Sequence, residues 1–489
     1  MASLVDRLTA SEAGESDGFL NDLVAQLWPN INVAGCRMVK EIVEPMLASM
    51  LPGPLASLHF IKLDLGPVPL KVSKVDVIRT ENGGVSLGMD VSWHSKSDFQ
   101  LDGQMVPELG IKGVHLTGRL SVLLAPLTNI LPCFGAAQIA FVNPPKLELD
   151  FTGAADIADS SLIDKTVRKA IMDTICSMAV LPNRYLYKLD TNCDWFQTYL
   201  PHIGVLRVTV EKATGLQSPK RSGGATGKIE GLLSKVGLKD VPDPFVNVTV
   251  GAEPPFRSKT KEDCLEPVWN ETHDFLVADF DQNLVIEVMD EDPGENDPMG
   301  VATVSVKQLL LGGPQAQDLP LVRKDLPDNN GKVTVRAQFF DFVADANTLT
   351  AAQDAGEGEI VGLATVLIAS VLNLQGNRDE LKPNVKVIWG TDPKQEFNTT
   401  TQSYYPGMDI FNPSFDQAFR FPITKKILAN PPGFEIILMN GTEEKVGSVE
   451  LPFEEVLNAE GCLKGGELDV GGGVQVRAQV FIRGLQPAK

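Results

Sequence analysis

The sequence predicts an α+β chain: an N-terminal domain in which helices flank a curved antiparallel sheet, followed by two all-β sandwiches. Length, periodicity and an internal repeat carry this reading. The 489 residues allow about three domains at the usual ~100–200 residues each. Residues 18–52 follow a helical pattern, whereas 85–93, VSLGMDVSW, alternate strictly between apolar and polar positions. The second half of the chain contains one unit twice. GVLRVTVEKATGLQ (204–217) resembles GLATVLIASVLNLQ (362–375), and EPVWNETHDF (266–275) resembles NPSFDQAFRF (412–421). Likewise LVIEVMDED (284–292) parallels FEIILMNGT (434–442), and GKVTVRAQFF (331–340) parallels GGVQVRAQVF (472–481).

The elements follow in order. Residues 1–14 read as a disordered N-terminus, and 15–200 form the first domain. Its opening helical stretch is expected to break near Pro29, since proline removes a helix hydrogen bond. Four alternating segments then place apolar residues on one sheet face: Val85, Leu87, Met89 and Val91; Leu120, Val122 and Leu124; Ile139 and Phe141; Leu147 and Leu149. Residues 120–142 are broken by Pro126, Asn129 and Pro132, so they read as strand, turn, strand; a span needs ~20 continuous apolar residues. A helix over 159–180 closes the domain. An apolar face of this kind makes either core or, where helices cover it incompletely, a groove for acyl chains. Short Val- and Ile-rich runs between Gly, Pro, Asn and Asp clusters make each repeat an antiparallel sandwich of about 130 residues. The first is 203–342, the linker 343–357, and the second 358–485.

Composition excludes several classes. The net charge of −20 argues against nucleic acid and against unassisted adhesion to anionic membranes. Six cysteines without CxxC spacing suggest neither a disulfide framework nor a zinc site. No apolar signal core stands at the N-terminus. GVSLG (84–88) matches a nucleophile elbow, but that motif needs a strand before it and a helix after it. Here a turn precedes and an alternating strand follows. With five histidines in no metal spacing, the chain does not read as an enzyme.

The acids are distributed unevenly between the repeats. VMDEDPGENDPMG (288–300) holds Asp290, Asp292 and Asp297, and DPFVNV (243–248) opens with Asp243. Aligned with the second repeat, Asp243 faces Lys382, Asp290 faces Asn440, Asp292 faces Thr442, and Asp297 lies near Glu444. The apolar frame is kept while three of the acids are lost, so packing does not require them. Loop carboxylates suit calcium, which takes six to eight oxygens in flexible geometry. The first repeat also carries about 19 extra residues ahead of DPFVNV, including GKIEGLLSKVGL (227–238). There Ile229, Leu232, Leu233 and Val236 fall at helical spacing, flanked by Lys228, Lys235 and Lys239. This stripe either dips into lipid headgroups, with Leu232, Leu233 and Lys235 as the contacts, or packs on a neighbouring domain.

The set DPFVNV, SKTK…EPVWNETHDF and VMDEDPGENDPMG resembles the C2 domain, a calcium- and phospholipid-binding sandwich. The resemblance implies Asp243, Asp290, Asp292 and Asp297 as calcium ligands. A further acid that the family places near 218–221 is SPKR here, and Asp240 is the candidate substitute. FLNDLVAQLWP, VEPMLASMLP and FIKLDLGPVPLKVSKVDV resemble the synaptotagmin-like mitochondrial lipid-binding protein (SMP) domain. Followed by C2 domains, they give the order of the extended synaptotagmins and tricalbins. That resemblance implies a homodimer through the SMP domain, carrying glycerophospholipids between endoplasmic reticulum and plasma membrane, on the cytosolic face of both. It implies docking on an anionic membrane surface through the first C2 domain. The second reads as calcium-independent because Lys382, Asn440 and Thr442 replace three carboxylates. Family members carry a hydrophobic N-terminal anchor, and no such run stands in this sequence. The alternative is a calcium-dependent tether whose N-terminal domain carries no lipid.

Overall fold

The computed structural model describes residues 17–488 apart from 52, 81, 82, 105, 154–159, 191, 192, 219–240, 293–295, 324–330, 351–355, 357 and 391–393. The chain opens with helix α1 (Asp17–Met50), which runs through both Pro29 and Pro45 rather than breaking near Pro29. Each proline costs the helix a donor, but buried residues beside them, Trp28 and Leu47, hold α1 to the sheet. Trp28 donates from Nε1 to Gly66 O at 2.8 Å and meets Trp93 edge-on at 5.7 Å. Those contacts outweigh the local penalty.

The sheet beneath comprises β1 (His59–Lys62), β2 (Lys71–Arg79), β3 (Val85–His94), β4 (Phe99–Gly103), β5 (Val106–Leu124), β6 (Ala136–Phe141), β7 (Lys146–Gly153) and β8 (Tyr185–Lys188). Helix α2 (Ser160–Ala179) lies between β7 and β8. The 19-residue β5 is the spine. One edge pairs with β4 and then β3, the other with β7 and then β6, all antiparallel. The 120–142 segment is strand, turn, strand as expected, and Ser86 of GVSLG lies within β3. Among the described residues no helix is long and apolar enough to cross a membrane.

The first sandwich uses β9 (Gly204–Thr214), β10 (Pro244–Val250), β11 (Phe256–Arg257), β12 (Val268–Val277), β13 (Asn283–Asp290), β14 (Asp297–Ser305), β15 (Gln317–Pro320) and β16 (Lys332–Val343). The second uses β17 (Ile360–Leu372), β18 (Pro383–Trp389), β19 (Gln395–Asn398), β20 (Ser414–Thr424), β21 (Phe434–Asn440), β22 (Glu444–Leu451), β23 (Leu463–Gly471) and β24 (Val474–Pro487). The repeat is exact in topology: β11-β10-β13-β14 in one corresponds to β19-β18-β21-β22 in the other. Each has its own core, around Val246, Ile286 and Val333 in the first and Val385, Trp389 and Phe421 in the second.

The two sandwiches are joined more closely than the linker assignment predicts. β16 pairs with β24 from Phe340↔Pro487 to Val343↔Gly484, fusing their facing sheets into one of eight strands. Within 343–357, Ala346–Thr350 is a short helix, and Leu349 is buried in the second core. The N-terminal domain docks on the first sandwich through Asn143, whose side chain donates to Asp281 O and accepts from Asn283 N. Arg119 reaches Asp281 at 3.3 Å, and Lys188 reaches Asp416 of the second sandwich at 2.6 Å.

Candidate lipid groove and metal centre

The face predicted from alternation is a single continuous surface. Cross-strand partners share a face, and the registers form three rungs: Val85–Leu124, Leu87–Val122–Ile139 and Met89–Leu120–Phe141. A fourth, Trp93–Leu116–Leu147, continues it under the helices. The face is covered at one end and open at the other. Val91 (3% exposed) and Leu149 (8% exposed) are packed into core clusters, so these two predicted lipid contacts are core in this structure. Leu147 is only partly buried, against the same cluster as Leu149. Leu149 is covered by Trp28 and Leu47 of α1 and Val167 of α2, whereas Val91 packs with Val72, Val75 and Leu20 of α1.

Met89, Leu120 and Phe141 form the boundary, partly covered by Leu20, Val72 and Val75. Beyond it Val85, Leu87, Val122, Leu124 and Ile139 are neither buried nor fully exposed. The rungs extend to residues the sequence reading missed. Val77 pairs with Leu87 and is 49% exposed, while Tyr185 pairs with Ile139. Tyr187, 61% exposed, pairs with Ala137 next to Leu124. Alternation through KVDVIR and YLYK was the available signal. The opposite face carries a charged cluster, in which Arg119 binds Asp76 and reaches Asp90 at 3.1 Å, beside the buried Leu123 and Ala140. Thus the sandwiches dock behind the sheet, leaving the apolar face clear.

The acidic residues converge at one end of the first sandwich. Asp243 directly precedes β10, Asp290 ends β13, and Asp297 begins β14. Register sets Asp290 opposite both Pro244 and Asp297. Asp290 is buried, and its Oδ1 accepts from Asp243 N at 2.7 Å. Asp243 Oδ1 accepts from Asp263 N at 2.7 Å, and Asp292 N donates to Asn296 Oδ1 at 3.3 Å. Glu291 turns away to Arg257 at 3.0 Å. Its hydrogen bond from Thr260 and the Arg257 charge hold its carboxyl below the usual range.

Asp243 and Asp290 each accept a backbone amide through Oδ1 in the contacts above, and carboxylate oxygens are the donors a hard cation takes. Among the described residues, however, no group of three or more His, Cys, Asp or Glu side chains is arranged to hold a metal. Asp240, Leu232, Leu233 and Lys235 lie outside the described residues.

Register confirms the alignment of the repeats. Pro383 opposes Asn440 as Pro244 opposes Asp290, and Asn440 opposes Glu444 as Asp290 opposes Asp297.

Comparison with known proteins places both regions. The synaptotagmin-like mitochondrial-lipid-binding domain family matches residues 13–189, and the C2 domain family matches 204–321 and 362–466. Extended synaptotagmin-1 of Mus musculus is 27% identical over 458 residues, covering 91% of this chain and 40% of that protein. Synaptotagmin-4 of Arabidopsis thaliana is 29% identical over 326 residues, covering 63% of this chain and 53% of its own length. A solved structure of the SMP, C2A and C2B domains of Extended-Synaptotagmin 2 superposes with a TM-score of 0.65 at 22% identity, over 97% of this chain and 100% of that one. That likeness speaks for the fold. The chain spans 40% of the length of the mouse relative.

Proposed function

Because the chain is extended-synaptotagmin-like, an SMP domain followed by two C2 domains, we propose that it carries glycerophospholipids in the SMP groove and tethers membranes. The observation that carries this is the half-open apolar face. Burying apolar surface contributes roughly 25 cal/mol per Å², so Val85, Leu87, Val122, Leu124 and Ile139 gain by taking acyl chains from water. Nothing in such a face selects a headgroup, which would remain at the open rim. The exposed stripe of Phe19, Leu23, Leu27 and Ile31 on α1 supports the reading that a second copy of the chain completes the SMP unit.

The first C2 domain is the regulated contact. Asp243, Asp290, Asp292 and Asp297 are the residues that would hold calcium, with Asp240 a further candidate. Bound calcium supplies positive charge and open coordination positions for lipid phosphate. It thereby reverses a local repulsion that a chain of −20 otherwise presents to anionic lipid. Leu232, Leu233 and Lys235 are proposed to follow the ion into the headgroup layer. The site of action consistent with this chemistry is the cytosolic surface where endoplasmic reticulum and plasma membrane approach.

Organic extraction of the purified full chain, followed by mass spectrometry, tests the groove. Co-purifying glycerophospholipid is expected, depleted by Val122→Glu with Ile139→Glu. Val77→Glu, at the exposed end of the same rung, checks that a charge on this face leaves the chain folded. Wild-type chain free of lipid would leave a tether whose SMP domain carries nothing.

A further inference from the structure

At the β8 edge of the SMP sheet, where it meets the second C2 domain, lies a cavity of about 630 Å³. Arg184, Tyr185 and Tyr199 line it from the SMP side; Phe415, Asp416 and Arg420 line it from β20 of the second C2 domain. Its charged lining residues are Arg184, Asp416 and Arg420. Asp416 is already matched by Lys188 at 2.6 Å. Arg420 has Glu253 at 4.0 Å, so Arg184 is the lining cation left without an ion pair among the described residues.

Arg184 is the informative residue. Its guanidinium donates to Ser121 Oγ at 3.3 Å, and among the described residues no carboxylate forms an ion pair with it. Asp279 acts on it only at longer range. A guanidinium has five N–H donors, and one weak bond to a hydroxyl leaves most of them for whatever occupies the cavity. Burial pushes Arg184 down to about 10, so it still carries its charge at neutral pH in a poorly solvated wall. Across the cavity Arg420 donates to His202 Nε2 at 3.3 Å and lies 4.0 Å from Glu253. For Arg184, which has no such carboxylate beside it, burial of the charge is costly unless an anion offsets it.

We infer that this cavity binds a phosphate-bearing anion of about ring size, gripped by Arg184 from the SMP domain and Arg420 from the second C2 domain. The planar guanidinium fork matches phosphate oxygens two at a time. The volume exceeds what a single inorganic phosphate fills and lies in the range of small-molecule sites, and the aromatic walls suit the faces of a polyol ring. A phosphorylated polyol meets all three conditions, whether free in solution or as a lipid headgroup. Because the walls come from two domains, its binding would lock the second C2 domain against the SMP domain.

The test uses the full chain in chelator, which keeps the acidic tip silent. Thermal melting is followed against inositol trisphosphate and inorganic phosphate, with sodium chloride at matched ionic strength as the control. A parallel arm measures binding to phosphatidylcholine vesicles with and without a phosphorylated phosphatidylinositol. The expected result is a midpoint that rises with the logarithm of inositol trisphosphate concentration. Arg184→Gln should bind roughly tenfold more weakly, as loss of a charge-assisted bond predicts, and Arg184→Lys should fall between. Arg420→Gln carries the same test if Arg184→Gln fails to fold. Arginine-dependent binding to the phosphorylated vesicles alone would support the site with a membrane source. No response beyond chloride in either arm, or equal responses in wild type and both glutamine variants, would overturn it.

Discussion

In the first C2 domain the amide of Asp243 donates to Asp290 Oδ1 at 2.7 Å; in the second the amide of Lys382 donates to Asn440 Oδ1 at 2.7 Å. The next contact is shared as well: Glu291 N reaches Asp243 O at 3.1 Å, and Gly441 N reaches Lys382 O at 2.8 Å. The fold needs an acceptor at this corner, and an uncharged amide serves. The negative charge of Asp290 is therefore surplus to folding. The second tip also balances itself, since Asn440 Nδ2 donates to Glu444 Oε2 at 2.7 Å and Lys382 stands where the first domain has Asp243. Charge retained without a structural need is what the proposed cation site would require.

The largest expected effect separates the two tips by calcium. A ligand bound only by the folded state adds about 2.7 kcal/mol at roughly a hundredfold excess over its Kd. Calcium should raise the melting transition of the first C2 domain in the full chain and leave the second unmoved. Asp290→Asn with Asp292→Asn should remove the response. Lys382→Asp with Asn440→Asp and Thr442→Asp should give the second domain a response of its own if the carboxylate set is sufficient. Calorimetry of the wild type and the two variants reads all of this, and a calcium response that survives in the double asparagine variant would break the comparison.

A smaller effect tests the shared hydrogen bond. Asp290→Ala strands a part-buried backbone amide, which costs about 2 kcal/mol, whereas Asn440→Ala strands its exposed counterpart and should cost less. Asp290→Asn should cost far less, because the second domain already uses that side chain. Denaturant unfolding followed separately for the two C2 transitions gives the three values. Equal losses for Asp290→Ala and Asp290→Asn would mean that the carboxylate charge stabilises the fold after all.

The parts legible in the sequence are those governed by local periodicity. Strict alternation in 85–93 and the repeat at 204–217 and 362–375 located strands and faces, because side chains on a strand alternate whatever surrounds them. The pairing of Asp243 with Lys382 and of Asp290 with Asn440 was legible too, since the apolar frame fixes the register. Coverage was not legible. Val91 and Val85 occupy the same face of β3 and obey the same pattern, yet only Val91 is buried. What distinguishes them is that Val72, Val75 and Leu20 of α1 pack over Val91, a tertiary fact. The run of α1 through Pro29 failed for a related reason: local helix penalties are small beside the packing of Trp28. The pairing of β16 with β24 joins strands whose partners in their own sandwiches already satisfied the pattern, so nothing in either strand announced it.

The smallest effect concerns what the two C2 domains share. His202 is buried at their junction, with Glu253 of the first domain 3.8 Å away and Arg420 of the second donating to its Nε2 at 3.3 Å. That donation requires an unprotonated Nε2. Burial holds the imidazole below its ordinary value of 6.5; Glu253 pulls it up and Arg420 pushes it further down. The unfolded chain therefore takes up a proton, as pH falls through 6.5, that the folded chain refuses. By linkage this contribution to stability is whole above 6.5 and is lost as pH drops toward the folded value. His202→Gln removes the proton uptake, so its stability should decline less steeply than that of wild type between neutral and mildly acidic pH. Melting curves of both chains in chelator across that interval measure the two slopes. Because the histidine touches both domains, the calcium-responsive and calcium-blind transitions should shift together in wild type. Parallel slopes in the two chains would show that the fused sheet of β16 and β24, rather than this junction, makes the pair a single body.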